Sequence, residues 1–554
     1  MKLKKITPSK VNVGKILFTL STSKYLSPYQ TWYPPLKSLS NKIIFFDTHW
    51  NRILYGREKM NEMFLKFIEN EKPNYIHMCF GADEFDLGTF VKIREISPKT
   101  KIIGFFGDDD LEFEKYSRYL MLFLDYGFIG QYKYVPKYKK EGIKNVFGVP
   151  GFNTEIFKPM NMKKKYDVTF IGTPLTEKSG RYNFIKFLKE KGIPITLFGW
   201  GWEKYPDLKE IYLGPLSNEQ MVKVINQSKI NLCFSKNSYG QSHLKGKVLE
   251  GGACKTFVLT EYYEDYVHMF NEGKEIIMFE GKEDLHKKIS YFLKNENERQ
   301  KIANAAYAKI IEKYNLEKDL KKIFSKIKYE KRRWKLPNIP EKSYIISKKE
   351  IFNKDNLKEI LKDYDYISFK EGGASHLKFK DFLQIYSLKI TNKPISCCNY
   401  YVYRKGLGDY LYFCSEKSFR ELDKKDFVSF LNLSQLLVTK EFFLENIEKF
   451  KKAFQREIDF LNKDNTAFVG FPLLRVKKIP TKKYSIMKKA FVFEFFHQLY
   501  SLYYTKKIFF KPYVPFLLLE IFFGKFFILK YLFDSLKDRS RISKLKNYQI
   551  SSNS

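Results

Sequence analysis

A strand, a loop, a helix and a second strand follow one another between residues 228 and 260, and this unit constrains the fold more than any other stretch. SKINLCF is apolar and predicts a buried strand, residues 237–243 predict a polar loop, residues 244–250 predict a short helix, and KTFVLT predicts the next strand. Such a βαβ unit belongs to a parallel sheet, in which ligands bind at the carboxyl ends of the strands. The unpaired N–H groups at the start of its helix favour an anion there.

Lys247 and Glu250 lie three residues apart, which places them on one face of the predicted helix. A cation and a carboxylate in this arrangement could serve a diphosphate and a ribose diol. The spacing alone leaves open a second interpretation, in which the two residues form a solvated ion pair on a surface helix and bind nothing.

The alternation of apolar runs and helical patterns extends well beyond this unit. In the first part of the chain, VGKILFTL, KIIFFD, NYIHMCF and KIIGFF predict four strands separated by helices, and from Asp167 onward DVTFIG and ITLFGWGW begin a second series. The segment between the two series contains residues that interrupt regular structure, namely Pro150, Gly151 and Pro159. The pattern predicts an α/β protein with two parallel sheets, each covered by helices and joined by a hinge.

Two stretches upstream of the βαβ unit complete a family pattern, YDVTFIGTPLTEKSGRYNFIKFLKEKGIPITLFGWGW and IYLGPLSNEQMVKVINQSKINLCFS. With that unit they resemble the nucleotide-sugar half of the CgeB-like glycosyltransferases, which are family 1-type enzymes with the GT-B fold. The resemblance covers residues 1 to about 325 and is densest after Asp167. It implies two Rossmann-like domains, one over residues 1–155 on the acceptor side and one over residues 156–328 on the nucleotide-sugar side.

The resemblance also implies a function. An enzyme of this class is a glycosyltransferase of the hexosyltransferase type, which moves a sugar from a nucleoside diphosphate donor to a cell-surface glycan or other acceptor. GT-B enzymes generally hold the diphosphate with lysine, arginine and helix dipoles, so we expect no metal and no cofactor apart from the donor. A non-catalytic glycan-binding or scaffolding protein that kept the fold is the alternative.

The residues that the resemblance assigns to the donor lie at predicted strand ends and on the short helix. Gly172 would permit close backbone approach, Gly199 and Gly201 would leave room for the base, and Glu250 would hold the ribose. The predicted donor-binding residues are Gly172, Arg181, Gly199, Trp200, Gly201, Lys245, Lys247 and Glu250.

This chain departs from the family pattern at two positions. Lys247 stands where the family usually has arginine, and Lys255 where it usually has glycine. Lysine lacks the bidentate fork of arginine, so phosphate binding would be weaker. Retaining enzymes of the largest GT-B class carry two glutamates eight positions apart, but Ser242 stands eight residues before Glu250. The stereochemistry of transfer is therefore open.

Three acids, Asp108, Asp109 and Asp110, follow the fourth predicted strand and contain an Asp-x-Asp spacing. In GT-A enzymes this spacing holds a divalent metal on a nucleoside diphosphate, but here it lies in the domain opposite to the donor. A carboxylate of the first domain could act as general base on an acceptor hydroxyl, so Asp108 and Asp109 are the catalytic candidates. A helix N-cap with first-turn acids is the alternative. We interpret His243 and His268 as loop or surface histidines.

A basic linker at residues 329–343 introduces a stretch of different character. NLKEILKDYDYISFKEGGASHLKFKDFLQIYSLK resembles the middle of a family 2-like GT-A glycosyltransferase, in which a strand ends in paired aspartates. The corresponding positions here are Glu371, Gly372 and Gly373, and the nucleotide-binding half of such a domain is absent from the sequence. Residues 343–480 are therefore predicted to be an accessory domain, either a degenerate GT-A-like remnant or an unrelated α/β domain.

Residues 481–554 are dense in aromatic and basic side chains, with fourteen Lys or Arg against four Asp or Glu. No uncharged run in this segment approaches the ~20 residues needed to span a bilayer. The pattern favours helices that lie on an anionic membrane surface, and a helical cap or a dimer contact explains it equally well.

The formal net charge of +37 does not select a partner by itself. The charge is not accompanied by zinc-finger spacing, a helix-turn-helix cue or an RNA-binding aromatic motif, so we predict no nucleic-acid partner. Six cysteines without a CxxC pair indicate a reducing, cytosolic setting. We interpret the basic, then apolar N-terminus as a first strand and not as a signal peptide, because Lys15 interrupts it. The predicted location is cytoplasmic, with a peripheral position on the inner face of the membrane as the alternative.

Overall fold

The computed structural model describes most of the chain up to residue 476. The described residues are 12–20, 26–48, 51, 55, 57–79, 84–330, 334–353, 356–404, 408–412, 433–455, 460–462 and 464–476. The segment 481–554, for which we predict membrane binding, lies outside them. Within the described ranges, no helix is both long and apolar enough to cross a bilayer.

The first sheet has six parallel strands in the order β2-β1-β3-β4-β5-β6. They are β1 (Lys15–Leu20), β2 (Lys42–Asp47), β3 (Tyr75–Met78), β4 (Lys101–Phe106), β5 (Tyr126–Ile129) and β6 (Val146–Gly148). The helices of this domain are Leu26–Leu39, Arg57–Glu71, Leu87–Ile96, Asp109–Glu112, Arg118–Leu120 and Tyr134–Lys140, with a π-helical turn at Phe113–Ser117 and a 3₁₀ turn at Met121–Phe123.

Burial explains why these strands read as continuous apolar runs. Every residue of β3 and β5 is buried, as expected for central strands covered by helices on both faces. The helix Arg57–Glu71 buries Met60, Phe64 and Ile68, which recur at the spacing of one helix face.

The second sheet has five parallel strands in the order β11-β10-β9-β7-β8. They are β7 (Tyr166–Ile171), β8 (Ile195–Phe198), β9 (Ser228–Cys233), β10 (Phe257–Glu261) and β11 (Ile277–Phe279). The helices are Arg181–Glu190, Asn218–Asn226, Gly246–Ala253, Glu264–Met269, Gly281–Lys294, Glu296–Lys313 and Leu316–Ile327, with 3₁₀ turns at Glu177–Ser179, Trp202–Lys204 and Pro206–Ile211. The predicted fold of two Rossmann-like domains is confirmed.

The last of these helices, Leu316–Ile327, packs on the first domain. Leu320 and Phe324 share one buried cluster with Phe18 and Trp32. The helix follows two other helices, Gly281–Lys294 and Glu296–Lys313, at the end of the second domain. This helix therefore packs the end of the second domain against the first domain.

The accessory region contains a mixed sheet in the order β12-β13-β17-β15-β18-β14, with β16 paired to β15. Its strands are β12 (Ser343–Ser347), β13 (Tyr366–Lys370), β14 (Ala374–His376), β15 (Ile395–Arg404), β16 (Gly408–Tyr412), β17 (Leu436–Thr439) and β18 (Thr466–Val476). Its helices are Lys348–Asn353, Leu357–Ile360, Lys380–Thr391, Lys440–Glu445 and Ile447–Phe454, with a 3₁₀ turn at Leu433–Gln435.

This accessory sheet is built onto the first Rossmann-like domain. The ring of Phe471 stacks on Tyr116, with 4.6 Å between centroids. A Cβ added to Gly470 would lie 2.8 Å from the carbonyl oxygen of Lys115, so the two backbones pack directly against each other. The contact lies on the π-helical turn that follows the three aspartates, so the accessory region supports the polypeptide next to them.

Candidate functional site

The order of the second sheet creates a crevice between the ends of β7 and β9. The chain leaves β7 toward β8 on one side and leaves β9 toward β10 on the other, so the two loops diverge there. In open parallel sheets such a switch point is where ligands bind. The loop after β7 contains Gly172, and the loop after β9 leads to the helix Gly246–Ala253.

The helix Gly246–Ala253 begins beside this crevice, two residues later than the sequence predicts. Lys245 occupies its N-cap position without a side-chain cap, and the backbone N–H of Lys245 donates to the hydroxyl of Tyr266 at 3.0 Å. The N–H of Val248 donates to the carbonyl of Lys245 at 3.1 Å, and because no side chain caps the first turn, the N–H groups of Gly246 and Lys247 are available to an anion.

Lys247 and Glu250 lie on one face of this helix and are paired, with Nζ 2.8 Å from the Glu250 Oε2. The Lys247 ammonium also lies 2.6 Å from the sulfur of Met221 on the preceding helix. The Lys247 side chain is 35% exposed and that of Glu250 is 15% exposed. In this state the two charges therefore neutralise each other.

Lys245 is a cation whose pKa is strongly lowered by its surroundings. Burial lowers the pKa of its ammonium to about 8, and the nearby charge of Arg181 adds to this, while Asp110, Asp108 and Glu261 act in the opposite direction. A lowered pKa in a cleft, with named charged neighbours, is typical of functional groups. An incoming diphosphate would favour the protonated form of Lys245.

Arg181, which we predict to bind the donor, contacts the backbone of two loops. Its guanidinium is buried, and it donates to the carbonyl oxygens of Thr173 at 2.9 Å and Lys236 at 3.0 Å. Burial lowers its pKa to about 10. Because these carbonyls belong to the loops after β7 and β9, Arg181 fixes the two walls of the crevice and does not extend into it.

The loop after β9 is also held by Glu261 at the end of β10. The Glu261 carboxylate accepts from the backbone N–H groups of Ser235 at 3.0 Å and Lys236 at 3.3 Å, and it lies 3.1 Å from the Lys236 ammonium. This buried carboxylate therefore determines where the loop leaves the sheet. The sequence analysis did not single it out.

The glycines after β7 and β8 serve backbone packing. Gly199 has a φ of +124°, and an added Cβ would lie 2.3 Å from the carbonyl oxygen of Gly172. That same oxygen accepts from the indole N–H of Trp202 at 2.7 Å. Gly201 is also left-handed, with a φ of +95°, while the Trp200 ring between the two glycines is 60% exposed. Close packing of the two strand ends thus presents an aromatic surface beside the crevice.

Lys255 lies at the opposite end of the helix from the crevice. Its N–H donates to the carbonyl of Gly252 at 2.9 Å, and the next N–H, of Thr256, donates to Gly251 at 3.2 Å. This is a Schellman C-cap, whose C′ position adopts the left-handed conformation and usually holds glycine. The φ of Lys255 is +60°. This departure from the family pattern therefore affects a helix end and not the donor crevice.

The three aspartates after β4 have three different environments. Asp108 is exposed at the N-cap of the short helix and makes no side-chain cap hydrogen bond. Desolvation by the surrounding protein, followed by the Asp110 charge, raises its pKa. Asp109 is buried and accepts from the hydroxyl of Tyr138 at 3.1 Å, and burial raises its pKa to about 7. Of the two predicted catalytic acids, only Asp108 is at the surface.

Asp110 connects the two Rossmann-like domains. Its Oδ2 lies 2.6 Å from Nδ1 of His243 and accepts from the side-chain N–H of Asn237 at 2.7 Å. Burial alone would raise the pKa of Asp110, but the hydrogen bonds from His243 and Asn237 hold it below its usual value. His243 is thus a partner of a buried acid in the opposite domain, whereas the sequence indicated an ordinary loop histidine.

Gln131, in the loop after β5, makes a second connection between the two domains. Its side-chain amide donates to the carbonyl of Leu244 at 2.9 Å and accepts from the Leu244 N–H at 2.9 Å. The ends of β4 and β5 in the first domain therefore contact the loop after β9 in the second. This places the three aspartates next to the crevice.

One potential ligand atom from each of Asp108, Asp110 and His243 lies within 4.8 Å of the other two. Three such atoms at this separation could hold a metal ion. The Asp110 and His243 atoms already bind each other, and Asn237 binds the same carboxylate oxygen. A divalent cation would have to displace these hydrogen bonds and would lie near the Lys245 ammonium. We therefore interpret the group as a hydrogen-bonded set and assign no metal ligands.

Comparisons with known proteins point to the second domain. Residues 181–325 match the family model described as glycosyl transferase-like. The spore protein CgeB of Bacillus subtilis is 26% identical over 197 residues, which are 31% of this chain and 59% of that protein. The resemblance to CgeB-like glycosyltransferases that the motifs predict is confirmed. The chain thus spans 59% of the length of this curated relative.

Two solved structures also align with the chain. Anabaena HepE in complex with UDP-glucose aligns with a TM-score of 0.42 at 11% identity, covering 56% of this chain and 99% of HepE. A glycosyltransferase from Rickettsia africae aligns with a TM-score of 0.41 at 13% identity, covering 57% of this chain and 99% of that one.

Proposed function

We propose that this chain is a metal-independent GT-B glycosyltransferase, which moves a sugar from a nucleoside diphosphate donor to a glycan or other acceptor of the cell envelope. One observation carries the proposal. In the part of the chain that matches the glycosyl transferase-like family, an uncapped helix start and the Lys245 cation lie together beside the switch point of the sheet. Both features favour a diphosphate at that position.

The donor diphosphate would lie at the start of the helix Gly246–Ala253. There Lys245 and the free N–H groups would stabilise the negative charge that develops on the leaving group. Lys247 would reach the diphosphate by exchanging its contact with Glu250, which then becomes free to accept from the ribose diol. The exposed Trp200 ring would stack on the base.

The acceptor would enter from the first domain. Asp108 is exposed there, and the nearby charge of Lys245 partly offsets the rise in its pKa that desolvation and Asp110 cause. Asp109 would have to leave the hydroxyl of Tyr138 before it could meet an acceptor. We therefore retain Asp108 as the acid that lines the acceptor side, with Asp109 supporting the local structure.

Ligand binding and turnover test this proposal separately. A panel of nucleoside diphosphate sugars should raise the melting temperature of the full chain, because a ligand at 100 times its Kd stabilises the folded state by about 2.7 kcal/mol. Lys245→Ala should reduce this shift. Lys223→Ala, which removes an exposed lysine from a neighbouring helix of the same domain, is the matched control and should not.

A non-catalytic glycan-binding or scaffolding protein is the second candidate, and the closed Lys247–Glu250 pair favours it, because a satisfied ion pair offers less to a donor. Binding of glycans without a thermal response to any nucleoside diphosphate sugar would support it. Sugar transfer to an acceptor, detected as released nucleoside diphosphate, would refute it.

A further inference from the structure

A cavity of about 250 Å³ lies where the accessory sheet meets the first Rossmann-like domain. Apolar side chains from both parts line it, among them Phe85 of the first domain and Phe471 of β18. Ligand pockets for drug-sized molecules have volumes of about 300 to 1,000 Å³, so this cavity is suited to a smaller group such as one sugar residue. The accessory region therefore completes a pocket that the first domain does not form by itself.

Three basic side chains and one acidic side chain line this pocket. Arg57 begins the first-domain helix Arg57–Glu71, Lys378 follows β14, and Arg475 lies on β18. Arg57 forms an ion pair with Asp86, which is the acid of the lining. The excess of positive charge thus comes from both sides of the contact, and the packing of the accessory region brings it together.

Lys378 is the most exposed of the three cations, since Arg57 and Arg475 are half-buried. Its ammonium lies 5.2 Å from the ring of Phe379 and has no carboxylate partner among the described residues. Arg475 pairs with Glu58, but these side chains are 34% and 59% exposed, and surface ion pairs of this kind contribute little to stability. An anion in the pocket could therefore take the place of Glu58.

The helix Leu87–Ile96 also begins at this pocket. Asp86 is its N-cap residue but makes no side-chain cap hydrogen bond. The N–H of Thr89 donates to the carbonyl of Asp86 at 2.9 Å. The N–H groups of Leu87 and Gly88, which line the pocket, have no acceptor in the part of the chain that the structure describes. Unpaired N–H groups at a helix start favour an anion, so they act in the same direction as the cations.

The pocket lies at the same edge of the first sheet as the three aspartates. The helix Leu87–Ile96 follows β3 and Asp108 follows β4, and these strands are parallel neighbours, so the chain leaves both at the same edge. Phe471 lines the pocket and also stacks on Tyr116, in the turn that follows the aspartates. A group bound in the pocket would therefore lie on the side of the molecule where the proposed function places the acceptor.

We propose that this pocket binds an acceptor sugar residue that carries a carboxylate or a phosphate, so that the accessory region selects an anionic glycan. This proposal rests on the proposed function and names its acceptor class. The apolar side chains contact the carbon-bound hydrogens of the sugar ring, and Lys378, Arg475 and the helix start bind its anionic group. The headgroup of an anionic lipid would meet the same charges, but the volume of the pocket and its place at the acceptor edge favour a glycan.

Binding of glucuronate and of glucose 6-phosphate to the full chain tests the pocket directly, with glucose as the neutral probe. In ligand-observed NMR titrations, at least one of the two anionic sugars should bind roughly tenfold or more tightly than glucose, because charge-assisted hydrogen bonds form only with the anion. Lys378→Glu should abolish this preference. Lys358→Glu, which makes the same change of charge at an exposed lysine of the accessory region, is the matched control and should retain it.

Gly88 allows a second variant that leaves every charge of the pocket in place. A Cβ added at Gly88 would meet no atom within 4 Å, so a larger side chain fits there without a clash. Gly88→Leu should therefore fill the pocket and weaken binding of the anionic sugar, with a melting temperature close to that of the wild type. Gly88→Ala adds the Cβ alone and should bind as the wild type does.

Several results would overturn the proposal. Equal affinity for charged and neutral sugars, or an unchanged preference in Lys378→Glu, would refute the pocket. Binding to phosphatidylglycerol vesicles that Lys378→Glu removes, without binding of either anionic sugar, would show a lipid site in its place.

Transfer assays separate this proposal from the proposed function. With an anionic glycan as acceptor, Lys378→Glu should raise the KM for the acceptor about tenfold and leave the KM for the donor unchanged. An unchanged KM for the acceptor would refute the acceptor role of the pocket, while the proposed function would stand because sugar is still transferred. A wild type that binds no nucleoside diphosphate sugar would refute the proposed function, even if glucuronate still bound to the pocket.

Discussion

Replacing Lys255 tests whether this departure from the family pattern affects the stability of the fold or the binding of the donor. Lys255 is exposed, occupies the C′ position of a Schellman motif and has a φ of +60°. An L-residue in the left-handed region costs about 1 to 2 kcal/mol, while glycine in a fixed position loses about 0.5 to 1 kcal/mol more backbone entropy than other residues. The Lys255 ammonium lies 5.5 Å from the ring of Tyr307, a contact worth about 0.5 kcal/mol at an exposed site.

These values set the expected order of two variants. Lys255→Ala keeps the Cβ and loses the contact with Tyr307, so it should be slightly less stable than the wild type. Lys255→Gly loses the same contact but relieves the backbone. It should therefore exceed the alanine variant in free energy of unfolding by roughly 0.5 to 1 kcal/mol.

Hydrogen exchange of peptides from the second sheet, measured in increasing urea, reports the stability of this domain alone. The midpoint should be higher for glycine than for alanine with an unchanged m-value. Equal midpoints, or a higher midpoint for alanine, would refute the assignment of backbone strain to Lys255. Neither variant should change donor affinity, and a change would place Lys255 at the donor site after all.

Four further outcomes are expected. Lys247→Ala should weaken diphosphate binding tenfold or more in a calorimetric titration, because a charge-assisted contact is worth about 1.5 to 3 kcal/mol, while Lys247→Arg should retain it. Transfer should continue in EDTA, and activity that disappears and returns with manganese would contradict a metal-independent site. His77 is buried, both of its ring nitrogens are unpartnered, and burial lowers its pKa to about 3. The neutral side chain therefore contributes its full stability above pH 6.5, the ordinary pKa of histidine. About 2 kcal/mol of the free energy of unfolding should be lost by pH 5. His77→Phe should flatten that loss in urea titrations. Deletion of residues 481–554 should release the protein from anionic liposomes and leave transfer to a soluble acceptor nearly intact, whereas loss of a dimer without any liposome binding would show a packing segment.

The two sheets were predictable from the sequence because their strands are local patterns. The buried positions of KIIGFF and SKINLCF are mostly apolar, with Ser228 and Asn231 as exceptions, so hydrophobicity marks both strands. The capping box at Ser217 and Gln220 is equally local, and both of its hydrogen bonds are present. Such signals depend on residues within a few positions of each other, so they can be recognised without knowledge of the contacts between distant residues.

The roles of single side chains were less predictable because they depend on distant partners. Arg181 follows a strand end, where a cation suggests an anion site, but its two terminal nitrogens donate to backbone carbonyls, one of them 55 residues away. Asp110 and His243 are 133 residues apart and belong to different sheets. Each is unremarkable in its own segment, and the sequence contains no signal that pairs them. Only the packing of the two domains brings them together.

The loop after β9 makes two contacts with the first domain and also leads into the helix of the proposed donor site. His243 meets Asp110, Leu244 meets Gln131, and Lys245 begins the helix at which the diphosphate would bind. These three residues are consecutive, so the backbone cannot move one without the others. Any donor that draws Lys245 toward its diphosphate would therefore also shift His243 relative to Asp110. Donor binding should therefore change the contacts between the two domains, and a nucleoside diphosphate should alter the hydrogen exchange of the loops after β4 and β9 together.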